Sequence, residues 1–161
     1  MFDLIDGLLP SGVHALTTQE LVQMFCFNPH RLDLYSEGLR PIVRELSEKN
    51  IKDLFIDGSF VEQAKLYPND IDAFFEISLQ GFRAAFPENT FNDWHRGAKR
   101  DFNVDIFVCL MGVPGPIEDG KKFQTEQEYW HFKFGHTREM KPKGMVRLTA
   151  IDIIQTEAAH D

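Results

Sequence analysis

Two aspartates at the start of an apolar segment constrain this chain more than any other feature. Asp70 and Asp72 flank Ile71, and the run that continues to Ile77 predicts a β-strand. Side chains alternate across a strand, so we expect both carboxylates to lie on one face. Two like charges this close are costly unless a cation lies between them, and an all-oxygen site favours Mg²⁺. A solvated surface turn that carries both acids is the alternative.

A Gly-Ser turn precedes this acid pair. Residues 51–56 predict a strand that ends at Gly58 and Ser59, and residues 60–65 predict a short helix capped by Ser59. Gly58 would let a ligand approach the backbone, and the free N–H groups of a helix start favour an anion such as phosphate. An ordinary strand-to-helix turn is the alternative. With the acid pair beside it, the turn predicts a site for a magnesium–nucleotide complex.

A third carboxylate fits the same plan. Asp105 lies near the beginning of a strongly β-prone run, residues 103–110. An acid inside such an apolar strand rarely stands without a partner. The partner is either a metal ion shared with the upstream acid pair or a salt bridge to Lys99 or Arg100, and the sequence leaves both open.

Together these residues resemble the polymerase-β-like nucleotidyltransferases. The signature of that superfamily is an apolar residue, Gly, Gly or Ser, a spacer, Asp-apolar-Asp/Glu-apolar, and a third acid on a following strand. The chain is similar to a small bacterial branch with Gly-Ser-Phe-Val and Pro-Asn-Asp-Ile-Asp motifs, here residues 58–61 and 68–72. The resemblance covers residues 40–110, and residues 9–14 and 142–147 resemble that branch more loosely.

The resemblance implies a catalytic mechanism. Asp70, Asp72 and Asp105 would be the catalytic residues and would hold two Mg²⁺ ions on a nucleoside triphosphate, with ATP expected. Gly58 and Ser59 would contact its β- and γ-phosphates. Asp105 would also help to deprotonate the attacking hydroxyl of a protein, RNA or small molecule. In-line attack at the α-phosphorus would release pyrophosphate, as in two-metal chemistry.

The chain departs from the family pattern around the turn. Many relatives place an Arg-Gly pair after the Gly-Ser and a Ser before the first metal-binding Asp. This chain has Phe-Val-Glu at 60–62 and Asn69 in those places. Glu62 adds negative charge near the expected phosphates. Lys65 is the nucleotide-binding residue that we expect to supply the missing positive charge, and a solvated helix lysine is the alternative. We expect these departures to affect the choice of substrate and the catalytic rate more than the fold.

The order of predicted elements indicates an α+β fold, with a mixed sheet, helices mainly on one face, and the acids at one sheet end. We predict a single domain over residues 1–161, with a core at about 40–110 and a C-terminal extension at 111–161. The other predicted elements are helices at 17–25, 30–49, 79–86, 90–100 and 121–131, a kink or a new start at Pro41, an exposed loop at 112–116 and a short strand at 145–150.

Charge and length limit the partners that we expect. The net charge of −8 argues against broad nucleic-acid binding, so no DNA partner is expected, although either of two basic clusters would suit a triphosphate or the end of an RNA acceptor. A solvated surface is the alternative for both clusters. Their members are Arg96, Lys99 and Arg100, and Lys133, Arg138, Lys141, Lys143 and Arg147.

The chain lacks features of secreted and membrane proteins. No signal-peptide pattern opens it and no apolar run approaches membrane length, so we expect a cytoplasmic protein without a membrane partner. About fifty residues follow Asp105, too few for the helical acceptor domain of larger relatives. The resemblance therefore implies a protein partner, as in toxin–antitoxin modules, or a homodimer. A non-catalytic antitoxin or regulatory partner-binding protein of the same fold is the alternative function.

Overall fold

A mixed five-stranded sheet organises the chain. The computed structural model describes residues 4–5 and 7–149. Its strands are β1 (Gly12–Leu16), β2 (Asp53–Asp57), β3 (Ile71–Ser78), β4 (Val104–Met111), β5 (Ile117–Glu118), β6 (Lys121–Lys122) and β7 (Gly144–Thr149). The sheet order is β1-β7-β2-β3-β4, and β5 and β6 form a separate ribbon. The pairs β1/β7 and β3/β4 are parallel, whereas β2 runs antiparallel to both of its neighbours.

In the part of the chain that the structure describes, six α-helices accompany the sheet, and local capping explains where the first begins. They are α1 (Thr18–Phe25), α2 (Pro29–Asp33), α3 (Arg40–Glu48), α4 (Leu79–Ala85), α5 (Phe91–Phe102) and α6 (Glu126–Phe134). Thr17 accepts the backbone N–H of Glu20, whose side chain accepts the N–H of Thr17 in return. This capping box confirms the predicted start of α1. None of the helices in the described part of the chain has the length and hydrophobicity needed to cross a bilayer.

The predicted helix at 30–49 is present in three joined parts. A π-helical stretch, Leu34–Leu39, connects α2 to α3, and the Arg40 N–H donates to the carbonyl of Tyr35 five residues back. Pro41 follows in the first turn of α3. Because Leu39 and Arg40 keep right-handed helical φ/ψ, the backbone stays helical through this junction, and the fresh start predicted as one of the two roles of Pro41 is not observed.

The two faces of the sheet are covered unequally, which confirms the predicted α+β architecture. The main core packs α1, α3, α4 and α5 against one face. The opposite face carries α6 over a smaller cluster, whose buried members are Phe55, Phe74, Cys109, Phe134 and Met145. Among the residues that the structure describes, α6 is the one helix on this second face, so the sheet end beyond it is available to a functional site.

Two predicted helices are wrong in part. Residues 60–65 form no α-helix: the first two end a single 3₁₀ turn, Gly58–Val61, and irregular turns follow. The predicted helix at 121–131 begins later, at Glu126, because Thr125 accepts the Glu128 N–H and caps it there.

The predicted strands agree with the structure more closely than these two helices. The strand predicted at 145–150 is β7, and Ala150 lies outside the described residues. This strand lies between β1 and β2, so part of the C-terminal segment is an interior strand of the sheet. Strand β1 was not predicted because it is short and lacks a clear period-2 alternation.

Candidate metal centre

The three predicted acids come together at one end of the sheet. Asp70 immediately precedes β3, Asp72 is its second residue, and Asp105 is the second residue of β4. Asp72 and Asp105 are partners in the parallel register. One ligand oxygen from each of the three acids lies within 4.8 Å of the other two, and all three residues are half-buried. A set of carboxylate oxygens at this spacing suits a hard divalent cation.

A fourth aspartate extends this arrangement across the sheet. Asp57, the last residue of β2, lies opposite Asp72 in the antiparallel register. Because register partners lie on the same side of a sheet, Asp57, Asp72 and Asp105 form a row across three strands. Asp57 was not among the predicted site residues. The available signal was an acid at the end of a buried strand, directly before the Gly-Ser turn.

The electrostatics of the row favour the binding of positive charge. The pKa of Asp72 is raised to about 6, first by burial and then by repulsion from Asp70 and Asp105. Lys99 and Lys143 act in the opposite direction. The repulsion among the acids is relieved when a proton or a metal ion binds.

The Gly-Ser turn packs directly against these acids. Gly58 has φ +74°, in the left-handed region, and a Cβ at this position would lie 2.2 Å from Asp72 Oδ2. Both the backbone conformation and the contact therefore require glycine. Ser59 follows at the start of the 3₁₀ turn and is half-buried. The turn predicted to bind phosphate thus adjoins the acids predicted to bind metal.

A buried arginine fixes the loop between the turn and the acids. Arg31 is fully buried, and its guanidinium donates hydrogen bonds only to backbone carbonyls among the contacts described for it. The acceptors are the carbonyls of Phe25 (3.0 Å), Ser59 (3.1 Å), Phe60 (2.5 Å), Glu62 (2.7 Å) and Lys65 (3.1 Å from Nε). Two of these carbonyls also accept backbone N–H groups, Ser59 from Glu62 at 3.2 Å and Glu62 from Lys65 at 3.1 Å. The segment therefore forms short turns whose carbonyls converge on one guanidinium, whereas the carbonyls of a helix would point along its axis. No local sequence pattern identified Arg31 in advance.

A buried lysine neutralises the β2 end of the acid row. Lys143 lies just before β7, and its side chain is 7% exposed. Its Nζ lies 3.2 Å from Asp57 Oδ1 and 3.7 Å from Glu62 Oε1. Burial nevertheless raises the pKa of Asp57 to about 7, although Lys143 opposes this shift. The solvated-surface alternative is therefore wrong for Lys143, and the charge of Glu62 is balanced.

Two residues of α5 bracket the acid at the other end of the row. Lys99 Nζ lies 3.4 Å from Asp105 Oδ2, and His95 Nε2 lies 3.6 Å from Asp105 Oδ1. His95 and Lys99 are four residues apart and so share a helix face, which is the signal that could have predicted His95. The His95 Nδ1–H donates to the carbonyl of Ile106 at 2.5 Å.

The salt bridge considered for Asp105 is therefore present, and it is formed by Lys99. The other candidate, Arg100, pairs with Asp101 instead, at 2.9 and 3.0 Å. The salt bridge and the three-acid cluster coexist, so the two alternatives for Asp105 do not exclude each other. Lys65 lies on the loop after the 3₁₀ turn with an exposed side chain, and its carbonyl accepts from Arg31. Its role as a nucleotide-binding residue stays a prediction.

Comparison with known proteins identifies a family. The model of DUF6932, a family of unknown function, matches residues 2–149. The chain therefore belongs to the DUF6932 family. No curated protein and no solved structure matches the chain significantly.

Proposed function

We propose that this member of the DUF6932 family is a magnesium-dependent nucleotidyltransferase. It would transfer a nucleoside monophosphate from a nucleoside triphosphate, with ATP as the expected substrate, to a hydroxyl. The single observation that carries the proposal is the convergence of Asp70, Asp72 and Asp105 within 4.8 Å, next to a glycine turn that contacts Asp72.

The donor set fits magnesium. Three carboxylates supply hard oxygen ligands, and the raised pKa of Asp72 indicates that this group gains from a neighbouring cation. Asp70, Asp72 and Asp105 would hold the metal, with two Mg²⁺ ions expected from the family resemblance. Bound there, magnesium would polarise the α-phosphate and lower the pKa of the attacking hydroxyl.

The remaining groups would bind and orient the triphosphate. The backbone of Gly58 and Ser59 would receive the β- and γ-phosphates, since glycine allows close approach at this turn. The Arg31 hydrogen bonds to Ser59 and Glu62 would keep the turn in one conformation when phosphate arrives. With the turn on β2 and the acids on β3 and β4, the acceptor hydroxyl would approach from the β4 side, where Asp105 would assist its deprotonation.

The acceptor is proposed only as a class. A hydroxyl on a protein, an RNA or a small molecule fits the chemistry, and a protein partner or a second copy of the chain would help to bind it. A net charge of −8 disfavours a broad nucleic-acid surface, so neither DNA nor a membrane is proposed as a partner. We place the activity in the cytoplasm, where nucleoside triphosphates and magnesium are both abundant.

A second candidate function is a non-catalytic antitoxin or regulatory partner-binding protein. The observation that favours it is a set of exposed apolar side chains on two adjoining segments. Asn28 Nδ2 donates to the Leu66 carbonyl at 2.8 Å and so links these segments. The exposed side chains are Phe27 (44%), Leu32 (42%), Leu66 (54%) and Tyr67 (70%). Apolar groups gathered in this way are typical of protein-binding surfaces.

Thermal unfolding with each nucleoside triphosphate, with and without Mg²⁺, tests the proposal. A ligand at a hundred times its dissociation constant stabilises the protein by about 2.7 kcal/mol, which shifts the midpoint measurably. We expect a magnesium-dependent shift in the wild type that is lost in Asp70→Asn/Asp72→Asn. The matched control is Asp93→Asn/Asp101→Asn, which removes the same charge from two exposed residues of α5. The absence of a shift with every nucleotide would contradict the proposal and favour the partner-binding candidate.

A further inference from the structure

We infer that Lys99 is a phosphate-binding residue, held on Asp105 in the free protein and transferred to the triphosphate when the metal–nucleotide complex enters. This inference rests on the proposed function, because it concerns the same site. It assigns a role to a residue that neither the family motif nor the Gly-Ser turn includes.

A polyanionic substrate bound beside an acid row needs a positive group that is able to move. The four aspartates described above surround the expected position of the substrate, and three lysines are candidates to balance the negative charge of its phosphates. Lys143 is fixed, because it is buried between Asp57 and Glu62. Lys65 is exposed on the loop beyond the 3₁₀ turn. Lys99 differs from both, since its side chain is 56% exposed while its Nζ lies 3.4 Å from Asp105 Oδ2.

Lys99 acts on the whole cluster and not only on its nearest partner. Its pKa is raised first by Asp105 and further by Asp70 and Asp72, and Lys99 in turn lowers the pKa of Asp72. Its ammonium therefore lies within electrostatic reach of all three proposed metal ligands. A half-exposed ion pair contributes little net stability, so a stronger cation displaces it readily.

This position couples the binding of metal to the binding of nucleotide. A divalent cation that enters alone must compete with Lys99 for Asp105. When the cation enters with a triphosphate, the displaced ammonium gains a phosphate oxygen as its new partner. Lys99 therefore weakens binding of the free cation and strengthens binding of the nucleotide complex, and this coupling is reciprocal between the two ligands.

The test measures binding and does not require turnover. Free Mn²⁺ is followed by electron paramagnetic resonance, with and without α,β-methylene-ATP, whose α–β bridge resists cleavage. The variants are Lys99→Met and the control Lys133→Met. Lys133 lies on α6 with a side chain that is comparably exposed, at 50%, and its Nζ lies 3.0 Å from Glu118 Oε1. Unfolding midpoints without ligand establish that all three proteins are folded.

We expect Lys99→Met to bind Mn²⁺ alone about fivefold more tightly than the wild type, equivalent to about 1 kcal/mol. We also expect it to bind the Mn²⁺–analogue complex about tenfold more weakly, while Lys133→Met behaves as the wild type. Unchanged or weaker binding of Mn²⁺ alone, or unchanged binding of the complex, would overturn the inference and leave the metal site intact. Failure of both the wild type and Lys99→Met to bind Mn²⁺ would overturn the metal site and this inference together.

Discussion

Gly58 and Asp72 are in such close contact that any side chain at position 58 would overlap the carboxylate. A Cβ built on Gly58 lies 2.2 Å from Asp72 Oδ2, and the residue has φ +74°. The contact joins the proposed phosphate turn to the proposed metal ligands, so the two parts of the site are not independent.

Gly58→Ala is therefore expected to displace Asp72 and to abolish magnesium-dependent stabilisation by nucleotide. It should also destabilise the fold by about 1–3 kcal/mol, because alanine disfavours a positive φ. Gly112→Ala is the matched control, since Gly112 has φ +77° with nothing within 4 Å of its Cβ position. Thermal unfolding of both variants, with and without Mg²⁺–ATP, separates backbone strain from the contact. Equal nucleotide responses in the two variants would show that the contact with Asp72 is unimportant.

Asp72→Asn is expected to reduce nucleotidyl transfer by at least about a hundredfold, because a metal ion supplies several kcal/mol of transition-state stabilisation. The fold should remain intact, since asparagine has nearly the same shape. The measurement is the release of pyrophosphate and the transfer of α-labelled nucleotide to acceptors in a cell lysate. Wild-type rates in this variant would rule out Asp72 as a metal ligand.

The same substitution should stabilise the cation-free protein at alkaline pH. Because folding raises the pKa of Asp72 to about 6, the folded state binds more protons than the unfolded state between about pH 4 and 6. This contribution to stability is therefore lost as pH rises through 6. After allowance for solvent screening, we expect Asp72→Asn to gain about 1 kcal/mol, or about 2–4 °C in midpoint, at pH 8 with chelator present. A midpoint equal to or below that of the wild type would contradict this account.

Lys143→Met is expected to destabilise the protein by about 3–5 kcal/mol at pH 8, because it leaves Asp57 buried without its counter-ion. The pKa of Asp57 is already raised to about 7 by burial, so protonation at pH 5.5 should recover much of this loss. Asp57→Asn combined with Lys143→Met should recover stability at pH 8 as well. Denaturant unfolding at both pH values measures these changes, and a pH-independent loss would exclude Asp57 as the cause.

Arg31→Met is expected to cost about 3–5 kcal/mol, since five backbone carbonyls would each lose a charge-assisted hydrogen bond in a buried site. Arg31→Lys should recover only part of this loss, because an ammonium lacks the planar fork of the guanidinium. Arg100→Met is the control, with an expected change below about 0.5 kcal/mol for an exposed residue. Urea unfolding gives all three values, and a small effect at Arg31 would show that the loop is held by other contacts.

Local patterns predicted the parts of the structure that depend on neighbours in sequence. The capping box at Thr17 and the strand at 71–78 have the expected positions because each depends on residues close together in the chain. The helix at 60–65 was predicted wrongly because the carbonyls of this segment converge on a distant residue, Arg31, instead of pointing along a helix axis. A hydrogen-bonding partner supplied from another helix leaves no local trace in the segment that it reorganises.

The sequence by itself determined that Asp70 and Asp72 stand together at the start of β3 and that Gly58 and Ser59 follow the end of the preceding strand, since strand starts and turn chemistry are local properties. The tertiary structure alone decided that Asp57 and Asp105 lie on either side of Asp72 and that Lys143 and Lys99 balance opposite ends of this row. Strand order and register fix those neighbours. The insertion of β7 beside β2 and the packing of α5 against β4 arise from global burial of apolar surface, which no short segment specifies.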